Sequence, residues 1–415
     1  MNIPNKKVHI IAGGTISKVR PHFALAAPSY GSVGRVMEKL AHEYFPAMDT
    51  VLHLTRMAGG SNTLETVEDV ARLIDELKND LSTKVIIMAA AMADFAGEVD
   101  APVGRLRTAG GDLTMNLTPN EKIIDGIRNT PNTDGIVRKD IFLVSFKATA
   151  GASGEEQYHA ALHNLKRSSS NLVFANDVEN HRMMVLTPEE ARYHETTNRR
   201  EALRGLVEMT ALRNQLTFTR STVVDAAPVP WNSNEVPESL RQVVDYCISG
   251  GAYKPFRGAT VGHFAAKVSD TEFLTSRRKT NFNQLDEIGL VRIVTDGPDS
   301  VLAYGSKPSV GGQSQRSVFV DHPGMDCIAH FHCPIRDDSL VPQVSQREYE
   351  CGSHECGQNT SRGLGEFGRI KAVYLQEHGP NIVFPKDIDP QDVIDFIETN
   401  FDLSKKTGGY QLETA

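Results

Sequence analysis

The sequence predicts an α/β protein of two domains, the first built on a doubly wound parallel sheet. Three observations carry that expectation. The chain has 415 residues, and at roughly 100–200 residues per domain two is the natural count. Its first half alternates short apolar runs with amphipathic periods. A proline-rich stretch without any period then separates this half from a second series of shorter strands.

In the first half, Val8–Ala12 is an apolar run ending in Gly13-Gly14, and Lys84–Ala91 reads KVIIMAAA, the pattern of a strand buried on both faces. Ile141–Phe146 and Leu172–Ala175 repeat it. Between them, Val33, Val36, Met37 and Leu40 mark one helix, and Val67, Val70, Ala71, Ile74 and Leu77 another. Asn62-x-x-Glu65 and Thr66-x-x-Asp69 are both capping signals for the second. Arg199–Leu212 reads as a closing helix. Strands separated by helices of this length form βαβ units, hence a Rossmann-like sheet over residues 1–214.

Residues 215–235 are expected to link the domains. The stretch Asp225–Glu238 is either that linker or an ordered loop wrapping one domain, since Trp231 is too apolar to leave bare. The second domain, 236–415, opens with a helix at Leu240, Val243, Val244, Cys247 and Ile248, stopped by Gly250-Gly251. Strands are expected at 260–268, 272–275, 290–294 and 301–304, then a helix at 314–321 and strands at 325–332 and 370–376. A last helix starts at Asp389-Pro390, proline suiting a first helical position. The tail after Ser404 reads as frayed.

Composition excludes several function classes. A formal charge of -8 gives no basic footprint for nucleic acid. No apolar run approaches the roughly 18 residues that span a bilayer. The five cysteines all lie in the second half, an odd and sparse set that suits reduced thiols in the cytoplasm and not a disulfide scaffold. Small molecules are the expected partners.

Two sites carry chemistry. A strand ending in Gly13-Gly14-Thr15 puts small residues where backbone N–H groups approach an anion, although tight turns use the same residues. In the second half, His330-Phe331-His332 places two imidazoles on one face of a strand. A catalytic zinc site needs a third protein ligand, and His378, after another apolar run, is the obvious one. With 14 histidines in the chain, chance pairs are easy. Arg277-Arg278-Lys279 reads as an anion cluster or as a basic surface turn. Cys351-x-x-His354-x-Cys356 reads as half a zinc site or as small buried residues at a helix start.

The first half resembles phosphopantothenoylcysteine synthetase, the nucleotide-dependent ligase of coenzyme A synthesis. The matching pieces are Ala12-Gly13-Gly14-Thr15, Ser29–Gly34, Met88–Phe95 (MAAAMADF), Leu113–Ile123 with Asn120, Val144-Ser145-Phe146 and Asn171–Asp177. The resemblance implies CTP or ATP, with Mg2+, held at Gly13, Gly14, Thr15, Ala90, Asp94, Asn120 and Phe146. Arg105 stands where the family has a lysine, and would offset developing charge; Lys166 and Arg167 are the nearby cations for the shifted lysines of the last family helix. The implied reaction activates a carboxylate as an acyl-nucleotide, which an amine then displaces.

The second half resembles the class II aldolase/adducin family, on Phe319–His332, Gly262–Lys267, Phe273–Ser276, Glu350–Ser353 and Glu377-His378-Gly379. The resemblance implies an α/β domain with a central, mainly antiparallel sheet. It also implies Zn2+ or another divalent metal on His330, His332 and His378, polarising a carbonyl and stabilising an enediolate. An anionic substrate would meet Arg277 and Arg278. The family's acid–base glutamate falls near Gly311, where 308–313 hold no carboxylate. Glu348, Glu350, Glu355 or Asp321 is left to substitute, with Glu350 carried as the catalytic one. Both families imply a homo-oligomer, dimer or tetramer.

Overall fold

The computed structural model describes residues 5–100, 104–256, 258–309 and 312–407. Two compact units emerge: Met1–Pro188 with Tyr193–Asn214, and Glu189–Arg192 with Gln215–Ala415. The expected replacement site at Gly311 lies outside the described residues.

The sheet of the first unit has seven strands: β1 Lys7–Gly14, β2 Asp49–Leu54, β3 Thr83–Ala91, β4 Phe142–Thr149, β5 Leu172–Asp177, β6 Met183–Leu186 and β7 Arg192–Thr196. Their order is β7-β6-β5-β4-β3-β1-β2. β2 through β5 pair in parallel, and β6 runs antiparallel to β5. Four long helices flank it among the described residues: α1 Ser32–Tyr44, α2 Val67–Asn79, α3 Gly154–Ser168 and α4 Arg199–Arg213. Because strand residues alternate faces, Val8, Ile10, Val85 and Ile87 pack with Met37, Leu40 and Leu206 of α1 and α4. Ile11, Ile86 and Met88 pack on the other face with Val70, Ile74 and Leu77 of α2. Thr66 and Asp69 form the capping box that starts α2. The sheet is doubly wound.

The chain leaves β1 for β2 on one side and returns for β3 on the other. In such sheets the crevice beyond the carboxyl ends of the two strands at this reversal is where ligands bind.

The second unit carries a ten-stranded sheet. Along its path lie β8 Arg220–Val224, β9 His263–Lys267, β10 Glu272–Thr275, β11 Val291–Thr295, β12 Ser300–Tyr304, β13 Cys327–His330, β14 Gln343–Val344, β15 Ile370–Leu375 and β16 Gly379–Phe384. The order is β8-β12-β11-β10-β9-β13-β16-β15-β14, with Gly365–Phe367 paired to β15. Only the β8–β12 and β14–β15 pairs are parallel, so the sheet is mainly antiparallel. Helices α5 Glu238–Ser249 and α8 Pro390–Asn400 cover one face, meeting Phe264, Ala329, Ile382 and Phe384. Helix α6 Gly312–Asp321 covers the other, where Val318 and Phe319 meet Phe273, Ile293 and Ile328. A further helix, α7, is His354–Gly363. Among the described residues, no helix is long and apolar enough to cross a membrane.

Three expectations need correction. Residues 215–235 are no bare linker: 220–224 form β8 on the sheet edge, and Trp231 is buried against Phe264 with ring centroids 5.3 Å apart. Burying that indole and pairing the open edge of β12 outweigh a loop's freedom. The strand read over 325–332 ends at His330. Its last rung faces Asn381, and the next would face Pro380, which has no N–H to give. Directly after Ser404 the expected fraying is not found, since Lys406 and Thr407 are buried.

Candidate metal centre and nucleotide crevice

His330 ends β13, and His332 lies two residues past it. His378 sits in the three-residue turn between β15 and β16, where Leu375 pairs with Gly379. Gly379 makes that turn possible. Its φ is +145°, and a Cβ there would lie 2.1 Å from the carbonyl oxygen of Phe331, so the hairpin tip presses directly on the backbone between the two other histidines. The expected face-sharing of a strand pair is thus replaced by a strand end, its continuation and a neighbouring turn.

One nitrogen from each of the three rings lies within 4.8 Å of the others, and all three side chains are buried. The backbone fixes one tautomer. His330 Nδ1–H donates to the Pro380 carbonyl at 2.7 Å, leaving its Nε2 lone pair 3.2 Å from His378 Nε2. Two nitrogens each about 2.0–2.1 Å from a tetrahedral ion would be about 3.3 Å apart. The donor set therefore suits zinc. Burial lowers the His330 pKa to about 4, against the opposing pull of its bond to Pro380. The ring is therefore an uncharged, ligand-ready imidazole at neutral pH.

A fourth imidazole escaped the sequence reading. His263 faces His330 in the β9–β13 register, with ring centroids 4.6 Å apart. Its Nδ1 lies 2.6 Å from Gln315 Nε2, whose Oε1 accepts from Thr275 Oγ1. Burial, then its neighbour His330, holds His263 well below the usual histidine range. Only strand register could have paired them.

Three of the four candidate carboxylates are engaged elsewhere. Glu348 accepts from Ser345 Oγ, Glu355 from the Thr217 backbone and hydroxyl, and Asp321 from Ser361 Oγ. Glu350 is half-buried and its carbonyl receives Ser353 N–H. Among the described residues, the clustered ligand trio contains no carboxylate. The anion cluster divides. Arg277 is tied to Ser306 Oγ and the Ile288 carbonyl, whereas Arg278 lines a cavity of about 240 Å³ with Lys307, Ser309, Thr219 and Ser221. His354 turns to Thr219 Oγ1 at 2.8 Å, and Cys356 is buried behind the Ser353 cap of α7.

In the first unit, register sets Gly13 beside Ala90 and Gly14 beside Ala91 at the carboxyl ends of β1 and β3. The glycines are required by protein packing: a Cβ on Gly13 would meet Thr55 Oγ1 at 2.1 Å, and one on Gly14 the Ala27 carbonyl at 2.2 Å. The amides of Gly14 and Thr15 are given to the carbonyls of Ser29 and Ala91. These two amides thus serve the Ser29 loop and the end of β3, as in the tight-turn alternative left open by the sequence. Thr15 Oγ1 accepts from Ala93 N at 2.9 Å, Asn120 Nδ2 donates to the Ala93 carbonyl at 2.8 Å, and Asn120 N to that of Asp94 at 2.9 Å. Together they fix the turn that displays Asp94, whose exposed carboxylate pairs with Lys122. Lys122, two residues past Asn120, is a site cation the sequence reading passed over. Phe146 packs on Phe174 at 5.0 Å. Lys166 Nζ is turned to the Pro188 carbonyl, and Arg105 is exposed on its loop.

Residues 3–205 match the family model of the DNA/pantothenate metabolism flavoprotein C-terminal domain. The coenzyme A biosynthesis bifunctional protein CoaBC of Thermococcus kodakarensis is 30% identical over 184 residues, 43% of this chain and 43% of that protein. The match thus spans less than half of that curated relative. Among solved structures, the DNA/pantothenate metabolism flavoprotein from Streptococcus pneumoniae superposes with a TM-score of 0.40 at 15% identity, over 49% of this chain and 95% of that one. YgbL from Escherichia coli, described as a putative aldolase/epimerase/decarboxylase, gives a TM-score of 0.30 at 18% identity, over 40% and 86%.

Proposed function

We propose, from a first half that matches the DNA/pantothenate metabolism flavoprotein C-terminal domain, that the chain is a bifunctional metabolic enzyme. One unit is a ligase-type nucleotide-dependent enzyme. The other is a zinc-dependent lyase acting on a small anionic, hydroxylated or phosphorylated substrate. The observation that carries the second half of this reading is the convergence of His330, His332 and His378 within 4.8 Å. Zinc held there would supply Lewis acidity to a substrate carbonyl.

The chain's own residues support the rest. Pro380 orients the His330 ring by accepting its Nδ1 proton, the kind of outer bond that fixes ligand direction and basicity. Arg278 and Lys307 offer two cations beside the hydroxyls of Ser309, Thr219 and Ser221, suited to a phosphate or carboxylate. In the first unit, Asp94 and Asn120 stand at the sheet's reversal, where a nucleoside triphosphate, CTP or ATP with Mg2+, would meet Lys122 as counter-charge. Arg105 would offset charge developing in the amide-forming step. The protein is proposed to work as a homo-oligomer in the cytoplasm.

A reading in which the first unit only binds nucleotide is favoured by one observation: Lys166, a cation expected to stand in for the family's last-helix lysines, is turned to the Pro188 carbonyl. Calorimetry with the four nucleoside triphosphates, followed by assay of nucleotide-dependent amide formation, separates the readings. Binding without turnover supports the second, and no binding at all sinks both for this unit. For the second unit, metal analysis of the purified chain and of His330→Ala is decisive. About one zinc per wild-type chain and none in the variant is expected; a native protein that takes up no metal rejects the lyase reading.

A further inference from the structure

The outermost ligand of the trio has the least regular support. His330 is held in the sheet on both sides, facing His263 and Asn381. His378 is held by a tight hairpin. His332, by contrast, lies past the strand, and its carbonyl receives the Thr407 amide at 3.0 Å. Arg336 N–H to Asn400, Asp402 N–H to Pro334 and Thr407 N–H to His332 form a series in which the segment after α8 runs back along 332–336. The backbone position of His332 therefore depends on where this returning segment is fixed.

A buried ion pair lies at its end. Lys406 Nζ meets Glu190 Oε2 at 2.8 Å, and the two side chains are 3% and 2% exposed. A fully desolvated ammonium–carboxylate pair of this kind is rare. Glu190 also has a φ of +68°, a left-handed conformation that a glutamate keeps only where its surroundings impose it. Beside it, Glu189 Oε1 accepts the Cys351 amide at 2.6 Å. Residues Glu189–Arg192 belong to the second unit. Such a device, charged, buried and strained, serves geometry better than stability, because a well-packed apolar pair would hold as firmly.

We propose that the Glu190–Lys406 ion pair is a latch that positions His332 for metal binding, through Lys406, Thr407 and the Thr407–His332 hydrogen bond. Glu190 and Lys406 are positioning residues here, acting on the metal through the backbone that carries one ligand. This rests on the reading of the trio as a zinc site.

The test uses the full-length chain and reads metal binding directly: the zinc dissociation constant by chelator competition, and the visible absorption of bound Co2+, which reports ligand number and geometry. Glu190→Gln keeps the shape and removes the carboxylate charge that Lys406 Nζ meets. It should weaken zinc by about 10–100-fold, the range for groups that orient metal ligands, and alter the Co2+ spectrum. Glu190→Leu combined with Lys406→Met removes both charges together and should recover most of the affinity. Should Glu190→Gln fail to fold, by circular dichroism, Thr407→Pro removes the amide that holds His332 while keeping both charges of the pair, and is expected to show the same loss. Wild-type affinity and an unchanged Co2+ spectrum in Glu190→Gln or Thr407→Pro would overturn the latch while leaving the zinc site standing. A wild-type chain that binds neither ion would overturn both.

Discussion

Gly379 shows how much a single missing side chain can decide. Its φ of +145° and the 2.1 Å approach of a Cβ to the Phe331 carbonyl leave no conservative replacement. Gly379→Ala should destabilise the second unit by about 2–4 kcal/mol and lower its zinc stoichiometry, measured by urea unfolding and metal analysis of the same sample. His9 sets a different kind of limit. It stacks on His53, with Nδ1 and Nε2 3.0 Å apart. Burial, then His53, brings its pKa from 6.5 to about 4. The folded chain keeps this ring uncharged down to about pH 4, whereas the unfolded chain takes up its proton near 6.5. Its effect on stability is therefore flat above pH 6.5 and unfavourable progressively between 6.5 and 4, where the unfolded state binds more protons. Urea midpoints of the first unit should fall across that window, and His9→Phe should flatten the fall.

At the scale of elements, the edge strand and loop over 215–235 are part of the second unit's fold. Trp231 is 4% exposed and its Nε1 donates to Asp245. Trp231→Ala should cost about 3–5 kcal/mol, seen as a lower midpoint for the second unit, while the first unfolds as before. The same stretch marks where the sequence stopped being legible. β1, β3, β4 and β5 announce themselves because both faces are buried and the runs are continuously apolar. β2, half-exposed along its length, lacks that mark. β16 begins Gly379-Pro380, residues that read as a turn although they open a fully buried strand. The trio itself was legible, since HxH spacing and a third histidine after an apolar run are local signals. His263, Lys122 and Glu190 were not, because only register or tertiary packing brings them to their places. Gly13-Gly14 left its two readings open for the same reason: a glycine pair looks alike whether it admits a phosphate or a neighbouring loop.

For the whole molecule, the proposed ligands belong to different units, so their effects on unfolding are separable. A chelator should lower the transition that loses the second unit's sheet. Nucleotide at 100 times its dissociation constant should raise the other by about 2.7 kcal/mol. Scanning calorimetry with each addition alone checks this, and a single transition moved equally by both would reject the assignment. The placement of the three histidines also bears on the order of events as the chain folds. His330 and His378 are brought together only when β13 and β16 have zipped across nearly fifty intervening residues. Such distant pairing is late and slow, so the ion has no cage to enter until most of the barrier is behind it. Zinc would then act as a lock rather than a seed: refolding rates should be indifferent to its concentration, and unfolding should slow as it rises.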